Sequence, residues 1–424
     1  MITVVGTGTG APLSPDAGAA LAGAGLVVGG RRHLAAATTI PDTAERVVLG
    51  PLAPALDAIE QFLEKPADQG RVVVLASGDP GFFGIVRALA ERFGAERLEV
   101  HPGVSSVATA FARVGLTWDD AVVVSAHGRD LRTAVNVCRA HPKVAVLTGP
   151  ASGPAELGAA LRCSERVLVV ASALGAGGVS GPGPGERIER VTPAEAAVRD
   201  WGPAVSVVLC LDESRVLSTV RTVAGPSPGP AQWALEEGEF AHRDSMITKF
   251  EVRALALARL GPRLGEHVWD IGAGSGSVAV ECARLGAAVT AVEKTLDGVE
   301  RVRANAAAHG VDVTAVHGAA PTVLSDLPDP DAVFIGGGGR ELPAIVTACA
   351  RRARRSVVVA MAALDRVPAV RDALVAAGLD CDGVLLQSSR LAPLPGDVTR
   401  LAATNPVFLL WGVRPPVRSE GAAQ

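Results

Sequence analysis

Asp270-Ile271-Gly272-Ala273-Gly274-Ser275-Gly276 is the most informative stretch of this chain. It completes the β-branched run HVWDIGAG over 267–274 and precedes a helical pattern, so it predicts a strand, a glycine turn and a helix. Glycines at such a turn let the backbone approach a ligand closely at a helix N-terminus. The candidate ligand-binding residues here are Asp270, Gly272, Ala273, Gly274, Ser275 and Gly276.

The acid that follows the next predicted strand indicates the kind of ligand. Glu293 is the next-to-last residue of the run AVTAVEK over 288–294, at the end of the strand, where a carboxylate can accept both hydroxyls of a ribose. Two ribose-containing ligands remain open at this point. The run GSGSVA over 274–279 fits a loose dinucleotide pattern, whereas Asp270 can meet the ammonium group of S-adenosylmethionine. The position of Asp270, two residues before the first glycine, favours S-adenosylmethionine.

Composition limits the class of protein. A length of 424 residues predicts more than one domain, and 48% apolar against 20% charged residues predicts globular ones. A net charge of −4 argues against a nucleic-acid-binding protein. The chain has neither a signal-peptide pattern nor a span of membrane-helix length, so we expect a cytoplasmic protein without membrane contact. The six cysteines form no C-x-x-C pair, so no metal site is expected. Separately, we expect the protein to form a homo-oligomer.

Two α/β domains follow from the distribution of strand-like runs. Strand-like runs alternate with Ala-rich helical stretches. In the first half of the chain these runs lie at 2–5, 25–29, 71–76, 121–126, 143–148, 166–171 and 205–211. A second series begins at 267 and ends with a pair of runs near 384–389 and 407–412. This alternation predicts parallel sheets. The Gly/Pro-rich residues 213–235 have no hydrophobic period and predict a linker between domains at 1–212 and 236–424.

Basic residues before and after the glycine turn have competing interpretations. Thr248, Lys249 and Arg253 lie in the string MITKFEVR over 246–253, whose threonine could also simply cap a helix from Thr248 to Leu260. An arginine cluster at 351–355 is typical of a solvated helix end, with anion binding as the alternative.

The second domain resembles a known family. The strings M-x-T-K-x-E-V-R, V-W-D-I-G-A-G-S-G-S-V, P-D-P-D-A-V-F-I-G-G-G and L-A-A-T-N-P-V-F-L-L-W-G closely resemble the carbon-15 methylating, decarboxylating methyltransferases of corrin biosynthesis. The resemblance implies a Rossmann-like class I methyltransferase fold that binds S-adenosylmethionine, with Thr248 near the cofactor. The family usually has G-D-A-P-E after the third strand, whereas this chain has Gly318-Ala319-Ala320-Pro321-Thr322, so a cofactor contact there would come from the backbone of Ala319 or Ala320.

The first domain has a glycine loop of another kind. Gly6-Thr7-Gly8-Thr9-Gly10 follows the first strand, but Pro12 and Pro15 delay the helix and no ribose acid follows the second strand, which argues against a dinucleotide site. Polar turns at 77–84, 101–106 and 125–129 follow three further strands. Ligands bind at such carboxyl ends of open sheets.

These turns resemble the tetrapyrrole methylase family, and within it the precorrin carbon-5 methyltransferases. The shared strings are G-x-G-x-G, G-G-R-R-H-L, S-G-D-P-G-F-F-G, P-G-V-S-S, W-D-D-A and H-G-R. The resemblance implies a class III fold of two α/β subdomains. It places cofactor contacts at Gly6, Gly8, Gly10, Gly78, Asp79, Ser105 and Ser106.

The two resemblances together imply a bifunctional enzyme of vitamin B12 biosynthesis that methylates a carboxylate-rich precorrin at two carbons. Arginine forks suit carboxylates, so the substrate-binding candidates are Arg31, Arg32, His127, Arg129, Lys249 and Arg253. Structural interpretations remain open for four of the candidate residues. They are a turn residue for Asp79, a structural histidine for His127, and plain surface residues for Arg31 and Arg32. The other classes considered are a methyltransferase for another substrate and an NAD-dependent oxidoreductase.

Overall fold

The computed structural model describes residues 1–10, 12–65, 70–175, 185–202, 206–217, 223–225, 232–243 and 247–416. Met246 and parts of the predicted linker lie outside these ranges. The chain divides into two compact units. The first contains residues 1–130 and 143–225, and the second contains residues 131–142 together with the described residues from 232 onwards. The domain bounds at 212 and 236 stay predictions.

The first sheet of the first unit is wholly parallel, with strand order β3-β2-β4-β1-β5. Its central strands are buried on both faces, and the β-branched residues that form them suit this environment. Its elements are β1 (Ile2–Gly6), α1 (Pro15–Ala22), β2 (Ala24–Gly29), α2 (Arg31–Ala36), β3 (Glu45–Val48), α3 (Leu52–Leu63), β4 (Arg71–Ala76), α4 (Val86–Phe93), β5 (Leu98–His101) and α5 (Ser106–Val114).

The second sheet of the first unit is mixed, which corrects the prediction of parallel sheets throughout. Its order is β6-β7-β10-β8-β9, and only β6 and β7 pair in parallel. The elements of this part of the chain are β6 (Val122–Ser125), α6 (Leu131–Ala140), β7 (Lys143–Leu147), α7 (Pro154–Ala160), β8 (Val167–Ser172), β9 (Arg187–Val191), α8 (Pro193–Ala197) and β10 (Ser206–Leu211). Helix α6 falls in the second unit.

The second unit is built on a seven-stranded sheet of order β13-β12-β11-β14-β15-β19-β16. The first five strands are parallel, and β19 runs antiparallel to both of its neighbours. Its elements are α9 (Phe250–Leu260), β11 (His267–Ile271), α10 (Ser277–Arg284), β12 (Ala288–Glu293), α11 (Leu296–Ala308), β13 (Thr314–His317), β14 (Ala332–Ile335), α12 (Leu342–Arg352), β15 (Ser356–Met361), α13 (Val367–Ala376), β16 (Asp380–Leu386), β17 (Ser389–Leu394), β18 (Val398–Ala403) and β19 (Val407–Val413).

Two apolar cores cover the faces of this sheet. Trp269 and Val333 belong to one core, whereas Val268 and Phe334 belong to the other, as the alternation of side chains along a strand requires. The start of α11 is set by Thr295, whose Oγ1 accepts the Gly298 N–H at 3.2 Å. The carboxyl ends of β11 and β12 are thereby held beside the N-termini of α10 and α11.

Several elements differ from the sequence predictions. The helix expected from Thr248 begins at Phe250, with Lys249 as its N-cap. The hairpin of β17 and β18 lies between the two predicted closing strands and was missed. Within the described residues, every helix is too short or too polar to cross a bilayer.

Candidate functional site

Three loops meet at the carboxyl edge of the first parallel sheet. The Gly8 N–H donates to the Gly78 carbonyl at 3.2 Å, and the Gly78 N–H donates to the Gly8 carbonyl at 2.9 Å. Gly103 lies against both loops, because a Cβ on it would be 2.5 Å from the Gly78 oxygen and 2.6 Å from the Gly8 nitrogen. The predicted residues Gly6, Gly8 and Gly78 are thus brought together. Gly103 was not among them, although the string P-G-V-S-S contains it.

Gly10 lies farther along the same loop. A Cβ on Gly10 would be 3.0 Å from the carbonyl oxygen of Gly175, which follows β8 of the second sheet. The glycine loop of β1 therefore contacts both sheets of the first unit.

Three predicted polar residues are engaged in local structure. Asp79 Oδ1 accepts the Gly81 N–H at 2.8 Å, which forms the turn that was the alternative interpretation of this residue. Ser105 caps α5, since its Oγ accepts the Ala108 N–H at 3.1 Å. Ser106 is the first residue of that helix and is half-buried. A ligand at this edge would meet these groups around a preformed turn and helix start.

Arg31 and Arg32 open α2 and are exposed. Arg32 donates to Ser77 Oγ at 2.5 Å, and Ser77 Oγ lies 3.1 Å from Nε2 of His33. Burial, together with the Arg32 charge, lowers the pKa of His33. His33 therefore adds a neutral imidazole beside a cation at this edge, a residue that the string G-G-R-R-H-L contained but that was not singled out.

His127 and Arg129 follow β6 and are both exposed. The Nδ1 atom of His127 lies 3.3 Å from the Thr148 carbonyl oxygen. The guanidinium of Arg129 lies 5.7 Å from the ring centroid of Phe83. Both side chains keep surface available to a substrate.

The glycine loop of the second unit runs between β11 and α10. The N–H groups of Gly272 and Ala273 both donate to the Val292 carbonyl, at 2.9 and 3.2 Å. A Cβ on Gly272 would lie 3.2 Å from Gly337 in the loop after β14. Gly276 ends the loop in the left-handed region, with φ of 72°. The loop is thus held against the ends of both neighbouring strands.

Glu293 contacts this loop directly. Its Oε2 accepts the Gly274 N–H at 3.1 Å, and its Oε1 accepts the N–H and hydroxyl of Thr295 at 3.0 and 2.9 Å. A carboxylate has about four acceptor sites, so these bonds leave capacity for further donors. The arrangement suits an acceptor for ribose hydroxyls.

Asp270 has a different environment from the one expected. It is 1% exposed, and its Oδ2 accepts the Ala279 N–H of α10 at 2.9 Å. Burial raises the pKa of Asp270 to about 7, a direction that the nearby Glu293 charge reinforces. The Asp270 side chain therefore supports the loop from the interior, and its contact with a ligand ammonium stays a prediction.

Other groups near the loop differ in accessibility. Ser275 is 3% exposed and its carbonyl accepts the Asn305 side-chain N–H at 2.7 Å, so its side chain lies in the interior and its cofactor contact stays a prediction. The N–H of Gly318 donates to the Glu293 carbonyl at 3.0 Å, which holds this turn beside the end of β12. The next two residues are Ala319, which is exposed, and Ala320, which is half-buried. Leu296 is 64% exposed three residues after Glu293 and offers an apolar surface that sequence reasoning missed.

The cations predicted for the second unit divide into two groups. Lys249 is half-buried at the start of α9. The carbonyl oxygen of Thr248, the residue before it, accepts a hydrogen bond from the Arg253 guanidinium at 2.6 Å. Arg253 is fully buried between that carbonyl, the Leu235 carbonyl and Glu281, 3.6 Å away. The Arg253 guanidinium is enclosed by protein, so this structure does not support its predicted contact with substrate, which stays a prediction.

The arginine cluster at 351–355 is partly structural as well. Arg352 donates to Asp329 at 2.6 Å and to the carbonyls of Leu324 and Leu327, while Arg355 donates to Glu266 at 2.6 Å. These two side chains stabilise loops rather than remaining solvated. Within the described ranges, no group of three or more His, Cys, Asp or Glu side chains could hold a metal ion.

Comparison with protein families defines the class. Residues 239–412 match the precorrin methyltransferase domain, and residues 1–177 match the tetrapyrrole (corrin/porphyrin) methylases. The chain therefore joins two methyltransferase domains, and the predicted fold class is confirmed.

Named relatives identify the family. Precorrin-6Y C(5,15)-methyltransferase (decarboxylating) of Sinorhizobium sp. is 36% identical over 348 residues, 80% of this chain and 79% of that protein. A probable cobalt-precorrin-6B C(15)-methyltransferase (decarboxylating) of Pyrobaculum calidifontis is 38% identical over 39% of this chain and 87% of that protein. The cobalt-precorrin-7 C(5)-methyltransferase of Salmonella typhimurium is 36% identical over 37% of this chain and 75% of that protein. The chain belongs to the precorrin-6Y C5,15-methyltransferase (decarboxylating) family.

We expect Glu293→Ala to weaken S-adenosylmethionine binding in the second unit about 10- to 150-fold, since a hydrogen bond to a charged acceptor contributes roughly 1.5 to 3 kcal/mol. Calorimetry on the intact chain measures this. Glu300→Ala, which removes an exposed carboxylate from the following helix α11, is the matched control and should leave affinity unchanged. Equal affinity in Glu293→Ala and Glu300→Ala would contradict the ribose role.

We expect Asp270→Asn to flatten the pH dependence of stability in the second unit. Between the ordinary pKa of 3.8 and about 7, the native state holds the Asp270 proton more tightly than the unfolded state. Stability therefore falls as pH rises through this window, by up to about 1.4 kcal/mol per pH unit, and the variant lacks this fall. Hydrogen exchange of peptides from β11 and α10 in urea measures it, with Asp372→Asn, an exposed change, as control. Parallel pH curves for all three proteins would contradict the raised pKa.

Proposed function

We propose that this chain converts precorrin-6Y to precorrin-8x by methylating carbons 5 and 15 and releasing the ring C acetate carboxyl as carbon dioxide. The first unit would methylate carbon 5, and the second unit would methylate carbon 15 and decarboxylate. The observation that carries the proposal is the presence of two unlike glycine loops at the carboxyl ends of parallel strands in two separate sheets. Relatives named for the carbon-5 reaction alone and the carbon-15 reaction alone support this division.

The residues of both sites fit S-adenosylmethionine. In the first unit, Gly6 and Gly103 let the loops pack against one another, while Gly8 and Gly78 adopt positive φ without a side chain, so the loop backbone is held at the strand ends where a ligand would bind. In the second unit, Glu293 provides acceptors beside the exposed Leu296, a combination suited to a ribose and an apolar base. With Asp270 buried, the choice of this ligand over a dinucleotide is supported by the family relationship.

Methyl transfer requires alignment more than proton chemistry. S-adenosylmethionine, when bound, supplies a methyl group on a sulfonium, and a neutral thioether leaves when the substrate carbon attacks. The glycine loops would hold the methyl group at a fixed position beside the strand ends, so that the substrate carbon attacks it in line with the departing sulfur. Positioning of this kind lowers the activation free energy by about 7 to 11 kcal/mol. This chemistry explains why both sites are formed largely by backbone.

The substrate would be held by exposed cations. Arg31, Arg32 and Arg129 lie on loops and helix starts that follow strands of the first unit, and their planar forks match carboxylates. Lys249 is the remaining candidate in the second unit. Decarboxylation leaves an electron pair that the conjugated macrocycle accepts, and carbon dioxide leaves as the carbon–carbon bond breaks. Self-association and a cytoplasmic location stay predictions.

We expect calorimetry to detect two S-adenosylmethionine sites per chain, with each unit losing its own. Gly103→Ala should abolish the first-unit site, because the added Cβ would meet backbone atoms at 2.5 and 2.6 Å. Gly18→Ala is the control, since its Cβ would meet no atom within 4 Å. A wild-type chain with a single site, or a Gly103→Ala chain with both sites intact, would overturn the assignment.

We expect the two activities to be separable in trans. Wild-type protein with precorrin-6Y should yield a product with two added methyl groups and one carbon dioxide lost. Gly103→Ala and Glu293→Ala, the latter at limiting S-adenosylmethionine, should each fail one methylation, and a mixture of both variants should restore the full product. Mass spectrometry identifies each product. If Gly103→Ala loses decarboxylation and Glu293→Ala retains it, the acetate chemistry belongs to the first unit. That result would contradict its assignment to the second unit.

A further inference from the structure

Two exposed phenylalanine rings stand at the carboxyl edge of the first parallel sheet. Phe82 is 38% exposed and Phe83 49% exposed, and both follow β4 directly after the Asp79 turn. Their ring centroids lie 5.0 Å apart with an interplanar angle of 76°. Exposed rings of this size forgo the stabilisation that burial would give, so their placement calls for an apolar partner.

The backbone holds these rings outward. Phe83 has φ of 55°, a left-handed conformation that costs energy for a bulky residue. The turn beneath it is well determined, since the Phe82 N–H donates to the Asp79 carbonyl at 3.2 Å and the Val86 N–H donates to the Pro80 carbonyl at 3.3 Å. Strain that a rigid turn maintains is typical of residues placed for binding.

A cation stands beside the rings. The Arg129 guanidinium lies 5.7 Å from the Phe83 centroid, within the range of a cation–π contact, and the residue is exposed. Val104, 60% exposed, follows β5, two strands from β4 at the same edge of the sheet. The edge thus presents exposed aromatic and aliphatic surface next to a planar positive charge.

We propose that Phe82 and Phe83, with Arg129, form a platform on which the conjugated, carboxylate-bearing macrocycle rests during carbon-5 methylation. This inference rests on the proposed function. A ring system with peripheral carboxylates matches both halves of the surface: the macrocycle face covers the phenylalanines, and a carboxylate accepts from the guanidinium. A Cβ on Gly6 would lie 2.7 Å from Pro80 Cδ, so the turn that carries the two rings adjoins the glycine loop.

Variants that keep the turn test the platform. Phe83→Asn removes the ring while retaining a residue that tolerates positive φ, and Phe82→Leu removes the other ring with little loss of apolar volume. Each should raise the KM for precorrin-6Y in the carbon-5 step about three- to tenfold with kcat unchanged, because a stacking contact is made in ground and transition states alike. Phe83→Tyr should restore the wild-type KM.

The intact chain provides the controls. The carbon-15 step and S-adenosylmethionine affinity at both sites should be unchanged in every platform variant. Val198→Ala, which reduces an 80% exposed side chain elsewhere in the first unit, should leave all parameters unchanged. Mass spectrometry of the carbon-5 methyl gives the rates, and light scattering gives the oligomeric state.

The outcomes separate the two proposals. If the wild-type chain does not methylate carbon 5, the proposed function fails. If it does, and both Phe83→Asn and Phe82→Leu keep the wild-type KM, the platform alone is overturned. A change of oligomeric state in these variants with unchanged KM would also overturn it, since the rings would then face a second copy of the chain.

Discussion

Backbone atoms in the first unit pack so closely at the strand ends that only hydrogen fits between them. Gly103 lies against both Gly8 and Gly78, and this contact determines where three loops leave the parallel sheet. The Asp79 turn, the start of α5 and the outward phenylalanine rings follow from it. Gly272 against Gly337 imposes the same kind of constraint on the second unit, although the two sheets differ in strand order. Both sites therefore depend on the absence of side chains at the positions where loops cross.

Such constraints explain which parts of the fold could be predicted from the sequence. Central strands of parallel sheets are continuous β-branched runs, and glycine turns follow them, so β1, β4 and β11 were identified with their loops. Strand direction was predicted wrongly for β10, because SVVLCL over 206–211 is buried on both faces whichever way the strand runs. Short strands with partly exposed residues, such as β3, and the exposed β17–β18 hairpin give too weak a pattern to detect.

The candidate sites were predictable in position but not in the use of each side chain. Arg253 and Arg129 look alike in the sequence, since each lies near the start of a helix. Arg253 instead satisfies backbone carbonyls and Glu281 in the interior, whereas Arg129 lies exposed beside Phe83. Burial is decided by residues distant in sequence, here Leu235 and Glu281, so local motifs cannot reveal it. The same holds for Asp270, whose partner Ala279 belongs to the following helix.

Two carboxyl groups in the second unit, those of Glu237 and Asp270, have pKa values shifted in opposite directions. Arg390 of β17 donates to Glu237 and Glu251, and these bonds hold the pKa of Glu237 at about 2. This tie of the segment before α9 to the hairpin is present above the ordinary pKa of 4.5 and is lost only as pH falls from there toward 2. Asp270, with a pKa of about 7, changes charge near neutrality beneath the glycine loop. A pH response near neutrality should therefore arise at the glycine loop of the second unit, while the segment that carries Lys249 stays in place.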